Sequence, residues 1–168
     1  MAFDHEQRTI ARSASVAFAL TIILLVVTGR FTFFEVERLT LLALTLAAPA
    51  TALFLDIARL AKHRFTEPLD RNAAAAETKT AKADMLSAIL RNTHEQATLA
   101  ALVYGMAAIL LPMNWTDATA GCALFFLIGR LVFAKGYANG AGSRAFGFGL
   151  TFYPTVALAI LMLITLAL

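Results

Sequence analysis

Apolar and polar positions fall in long blocks along this chain. Apolar runs occupy residues 13–28, 39–61, 85–111, 117–135 and 145–168, with polar connectors between them. A helix crosses the bilayer core in about 20 residues. The pattern therefore predicts an all-α integral membrane protein with five hydrophobic segments. The first segment is short for a span. Ile10 and the aromatic residues Phe31, Phe33 and Phe34 extend it, and those rings suit a membrane interface. It either crosses the bilayer or lies along its surface. The last segment contains Pro154, a kink that spanning helices tolerate.

The third segment departs from the pattern. Its first turns hold Arg91, Asn92, His94, Glu95 and Gln96 within six positions, and apolar sequence follows directly. Ionisable groups in a membrane are costly and usually face a bundle interior or a water-filled cavity. The stretch is therefore a candidate site. In the second segment Asp56 and Arg59 lie three apart, which predicts a local ion pair at the membrane edge. Residues 62–84 form the longest hydrophilic segment, a loop around Pro68, with an alanine-rich run at 72–83 read as a helix on the membrane surface. Trp115 in the turn at 112–116 suits the other interface.

Composition agrees. The 168 residues are 60% hydrophobic and 15% charged, against about 45–50% and 25% for an ordinary soluble domain. The net charge of +3 sits in the connectors, which argues for membrane orientation and against a nucleic-acid partner. Cys122 is the single cysteine, so an intrachain disulfide and a cysteine-built zinc site are excluded. It reads as a small buried hydrophobe. His94 has no second ligand at suitable spacing, so no metal site is expected. Asp4 and Glu6 spoil a basic leader, so the first segment is read as a retained helix. The glycine-rich connector at 136–144 lacks the phosphate-loop pattern and reads as a tight turn with close helix approach.

The basic residues give an orientation. Lys62, Arg64, Arg71, Lys79 and Lys82 lie in 62–84, Lys135 and Arg144 flank 136–144, and the turn at Pro112 has none. Basic loops prefer the cytoplasm. Loops 62–84 and 136–144 are thus expected inside, with the N-terminus, and the C-terminus outside. The start of the third segment, the end of the fourth and the start of the fifth then share one membrane level. Asn92 and Glu95 share a helix face, as do Arg130, Phe133 and Tyr137. Such a set suits a small zwitterionic peptide: arginine holds carboxylates, glutamate an ammonium, asparagine an amide. A fixed cation beside a thiol favours its thiolate. Taken one at a time, Arg91 and Glu95 also read as an i,i+4 pair, and Arg130 and Arg144 as side chains reaching lipid phosphates.

The stretches Asn92-Thr93-His94-Glu95-Gln96 and Arg130-Leu131-Val132-Phe133-Ala134-Lys135-Gly136-Tyr137-Ala138, followed by Arg144, resemble the MAPEG superfamily of membrane-associated proteins in eicosanoid and glutathione metabolism. The resemblance covers roughly residues 39–168, a four-helix transmembrane domain. Residues 1–38 are then an extra N-terminal helix and connector. It implies a homotrimer that binds glutathione as co-substrate between subunits near the cytoplasmic side, through Asn92, Glu95, Arg130 and Tyr137. It also implies that Arg144 activates the thiol. Ala88, Gln96 and Phe133 stand where the family often has an arginine, an aromatic and a tyrosine.

The function expected on this basis is a glutathione-dependent transferase or peroxidase acting on lipophilic electrophiles in a bacterial-type inner membrane. Ala88 and Phe133 favour an alternative, a non-catalytic lipid-binding or scaffold protein on the same fold. A small transporter is a third reading, with no internal repeat to support it.

Overall fold

A computed structural model describes residues 4–31, 33, 36–71 and 80–168. Five long helices carry the fold: α1 (His5–Arg30), α2 (Arg38–Thr66), α4 (Ala81–Leu110), α5 (Thr116–Gly136) and α6 (Ala141–Ala167). A one-turn helix, α3 (Pro68–Arg71), follows α2, and short 3-10 turns (Met113–Trp115 and Tyr137–Asn139) flank α5. No strand occurs among the described residues.

Among the described residues, four helices are long and apolar enough to cross a membrane: α1, α2, α5 with its flanking turns, and α6. α4 is 30 residues long but misses that composition because it carries the polar stretch. The first helix is longer than its apolar block. Asp4 caps it: its Oδ1 accepts from the Gln7 amide (2.7 Å), and the Gln7 side chain accepts from the Asp4 amide (3.0 Å). Asp4 is thus the N-cap of α1.

The core lies between α2, α4, α5 and α6. Small residues such as Ala48, Ala52, Ala100 and Ala107 let the helices approach closely. Tyr104 is fully buried there, and its hydroxyl meets Cys122 O (3.2 Å) and Thr155 Oγ1 (3.0 Å). Outward positions such as Ile23, Phe54, Ile109 and Leu163 are large, apolar and exposed, as a lipid-facing surface requires.

Two local devices position the site. The first is the α5–α6 turn. Gly140 takes φ +94°, which an L side chain rarely adopts. Ser143 Oγ donates to Gly136 O (2.6 Å) and Gly140 O (2.9 Å). Gly129 and Gly147 then face each other: a Cβ on Gly147 would lie 2.7 Å from Gly129 O and would meet the Phe133 backbone. The second device closes the hydrophilic segment. Asp70 accepts from the Thr80 amide (2.9 Å) and hydroxyl (2.5 Å), and lies 2.9 Å from His63 Nε2. The loop expected from residue 62 therefore begins later, because α2 runs on to Thr66. Of the alanine-rich run, residues 72–79 lie outside the described residues, and α4 begins at Ala81 with Thr80 as its cap.

Gly147→Ala is expected to destabilise the protein by about 1–3 kcal/mol, because backbone cannot give way. Gly105→Ala, whose Cβ would meet only Leu42 at 3.8 Å, should be neutral or gain up to about 1 kcal/mol. Thermal unfolding in detergent checks the contrast. The Asp70 carboxyl titrates below its ordinary 3.8, chiefly through the Thr80 side-chain hydrogen bond, which with the other partners outweighs burial. Its stabilisation is present above the ordinary value and is lost as pH falls through the lowered one. Thr80→Ala should move that titration up, as followed by carboxyl carbon NMR.

Candidate functional site

Arg130 is the least expected side chain of the bundle, a guanidinium only 2% exposed. Its position follows from α5, whose last turns put Arg130 and Phe133 on the face toward α4 and α6. An uncompensated charge there would be prohibitively costly. Arg130 Nη1 donates to Asn92 Oδ1 (3.0 Å), and Nη2 donates to Thr93 Oγ1 (3.0 Å). The Phe133 ring lies 4.1 Å from the guanidinium carbon. Nε has no hydrogen-bond partner among the described residues.

The chain of bonds continues into α2. Thr93, fully buried, donates its hydroxyl hydrogen to Asp56 Oδ2 (2.6 Å). Asp56, 4% exposed, takes Arg59 Nη1 on its other oxygen (2.7 Å). The predicted Asp56–Arg59 pair is therefore present, but Asp56 does more than pair with its neighbour. Its carboxylate fixes the Thr93 hydroxyl, which leaves the Thr93 oxygen to accept from Arg130. Arg130 in turn fixes the amide of Asn92. With Oδ1 engaged, Asn92 has its Nδ2 hydrogens to offer elsewhere.

Asn92 borders a cavity of about 460 Å³. Phe133, Tyr137, Arg144, Phe148 and Tyr153 also line it, with two residues of α1. The Arg144 guanidinium carbon sits 4.5 Å above the Tyr137 ring, and Tyr137 packs edge-on to Phe133 at 5.4 Å. The polar groups at this cavity are mostly donors: an amide, a guanidinium and phenols. They suit a ligand rich in acceptors or carrying negative charge.

Four of the five expected site residues thus come together. Asn92, Tyr137 and Arg144 face one cavity, and Arg130 stands directly behind Asn92 instead of on the cavity wall. Glu95 is not brought to them. It is exposed on α4 and makes no ion pair or hydrogen bond among the described residues, with Arg91 or otherwise. Asp56, Thr93, Phe148 and Tyr153 are additions from the structure. An acid inside an apolar block was a visible signal for Asp56. Thr93 gave none, because a threonine in a membrane helix commonly bonds its own backbone.

A family model described as the MAPEG family matches residues 10–164 of the 168-residue chain. The match takes in most of α1 as well as the four long helices after it. No curated protein and no solved structure matches the chain.

The relay predicts unequal costs. Asp56→Ala should destabilise by about 3 kcal/mol, since it strands buried partners. Arg59→Ala should cost about 0.5 kcal/mol, as expected for a half-exposed ion pair. Equal losses in thermal unfolding would assign Asp56 to the Arg59 pair alone.

Proposed function

The chain belongs to the MAPEG family, an integral membrane family of glutathione and eicosanoid metabolism, and from that membership we propose that it is a glutathione-dependent transferase or peroxidase for lipophilic electrophiles. The observation that carries the reading is the convergence of Asn92, Tyr137 and Arg144 on one cavity, with Arg130 behind them. Asn92 Nδ2 donates to an acceptor of the tripeptide. Arg130 acts through Asn92, by holding that amide in the donating orientation. Arg144 lies beside the thiol and stabilises its thiolate. Tyr137 supports the Arg144 guanidinium from below.

Glu95 takes the tripeptide's ammonium group. Its exposure on the protomer surface supports a site shared with a neighbouring subunit, in a homotrimer. The basic residues of 62–84 and 136–144 support a cytoplasmic site in a bacterial-type inner membrane.

The chemistry follows from the thiolate. In conjugation its sulfur forms a bond to an electrophilic carbon as the leaving group departs with the electron pair. In addition to an activated double bond, the pair moves to the neighbouring carbon, which takes a proton from water. In peroxide reduction the sulfur attacks the terminal oxygen, and the O–O bond breaks to give the alcohol and a sulfenic acid. A second glutathione thiol then forms the disulfide and releases water.

Two measurements test this on the detergent-purified protein. Glu95→Ala should weaken glutathione binding by about 10-fold in calorimetry, or about 1.4 kcal/mol. Arg144→Ala should lower kcat by about 100-fold. It should also move the alkaline rise of activity toward the free-thiol pKa of about 8.5. The sign follows because loss of the cation raises the thiol pKa, so the variant loses most at low pH. Full activity in Arg144→Ala would refute the mechanism. An inert protein that binds no glutathione and retains lipid would support the scaffold alternative.

A further inference from the structure

Two members of the polar stretch, Arg91 and His94, take no part in the cavity that Asn92 borders. They line another, of about 450 Å³, on the seam between α2 and α4. Spacing puts them there. On α2, Leu53, Ile57, Leu60 and Arg64 recur at i, i+4, i+7 and i+11, which makes one stripe. On α4, Arg91 and His94 are three apart and share a face. Bonds from Arg38 to Leu111 O, Asp56 to Thr93 and His63 to Thr80 set the two helices antiparallel. Arg64 and Arg91 therefore stand at the same end of the seam. Arg64 is half-buried, and Arg91 and His94 are exposed. None of the three side chains makes an ion pair or hydrogen bond among the described residues, and no carboxylate lines the groove. Beyond them the α2 wall is hydrocarbon, with Ile57 49% exposed. The stripe from Leu53 to Arg64 is about 16 Å long at 1.5 Å per residue. That is about the depth of one leaflet, half of a hydrocarbon core of about 30 Å.

We propose that this groove binds an acidic phospholipid, its headgroup phosphate on Arg64 and Arg91 and an acyl chain along Ile57 and Leu53. The inference goes beyond the glutathione-dependent reading and does not rest on it. Charge selects the headgroup. Cations without counter-ions at an apolar surface favour a ligand of net negative charge over a zwitterionic one, whose ammonium they repel. Guanidinium matches phosphate with paired hydrogen bonds. Basic pockets between spanning helices on the cytoplasmic side suit such headgroups. Hydrocarbon selects the anchor. A free phosphate leaves the Ile57 wall in water, whereas an acyl chain covers it. The bound lipid joins α2 to α4 on the outside of a seam that the Asp56–Thr93 bond closes from within.

The test compares phosphatidylglycerol with phosphatidylcholine on the full chain in detergent, by native mass spectrometry. Wild type should retain phosphatidylglycerol in preference. Arg64→Gln and Arg91→Gln should each weaken that retention by about 5-fold, and both variants should unfold like wild type in detergent alone. A second measurement places the chain. In nanodiscs, the fluorescence that Ile57→Trp adds to wild type should be quenched more by bromine-labelled phosphatidylglycerol than by equally labelled phosphatidylcholine. Equal retention of the two lipids, or retention untouched by both Gln substitutions, would overturn the inference. Displacement of the lipid by millimolar inorganic phosphate or glutathione would also overturn it, by assigning the cations to a soluble anion. An unquenched Ile57→Trp would do the same, by showing the groove covered by a second copy of the chain.

Discussion

A buried guanidinium is the constraint on which the site depends. Arg130 lies among helices of small apolar residues, where a charge without partners would not be tolerated. Each partner it recruits is itself fixed by another group. Asp56 orients Thr93, Thr93 and Asn92 accept from Arg130, and Phe133 lies over its face. The chain joins α2, α4 and α5 at one level, so the three helices are tied where the cavity opens. Replacing such a network by hydrocarbon of equal volume often costs little stability. Its value here is orientation: it holds the Asn92 amide in a defined way at the edge of the cavity.

The backbone supports that arrangement with glycine. The turn after α5 needs a positive φ at Gly140, and the α5–α6 approach needs hydrogens at Gly129 and Gly147. Together they set Tyr137 and Arg144 one above the other. Gly142 and Gly149 on the same helix draw α1 inward. α6 thus serves on one side as a rigid partner for α5 and on the other as a seat for the N-terminal helix. The polar end of the cavity comes from the first side and the apolar wall from the second.

Much of this was legible in the sequence, for physical reasons. Apolar blocks of spanning length announce helices, and the five long helices correspond to five blocks. Positions at helix ends converge when helices are antiparallel and connections are short, so the grouping of Asn92, Arg130, Tyr137 and Arg144 could be read from spacing and orientation. What the pattern hides is rotation about each helix axis. Asn92 and Glu95 share a face at the level of spacing, yet Asn92 turns toward α5 while Glu95 stays on the surface. Arg130 was expected at a ligand, and the structure seats it one layer deeper. Asp56 was read as a local pair because its second partner, Thr93, is 37 residues away. The role of α1 was concealed because glycine packing is set by pairs of helices and no single block reveals its neighbour. The Asp70–Thr80 clasp was concealed for the same reason, since its halves lie on either side of the alanine-rich run.

A fixed Arg130 should present Asn92 as a donor to a bound thiol peptide, with Arg144 as the cation beside its sulfur. A structure of the protein with glutathione bound tests this most directly. Arg130 is expected to keep its bonds to Asn92 and Thr93, Asn92 Nδ2 to donate to the tripeptide, and the sulfur to lie within about 4–6 Å of the Arg144 guanidinium. Glutathione seated on another face of the bundle, or Arg130 released from Asn92 to bind the peptide itself, would contradict it.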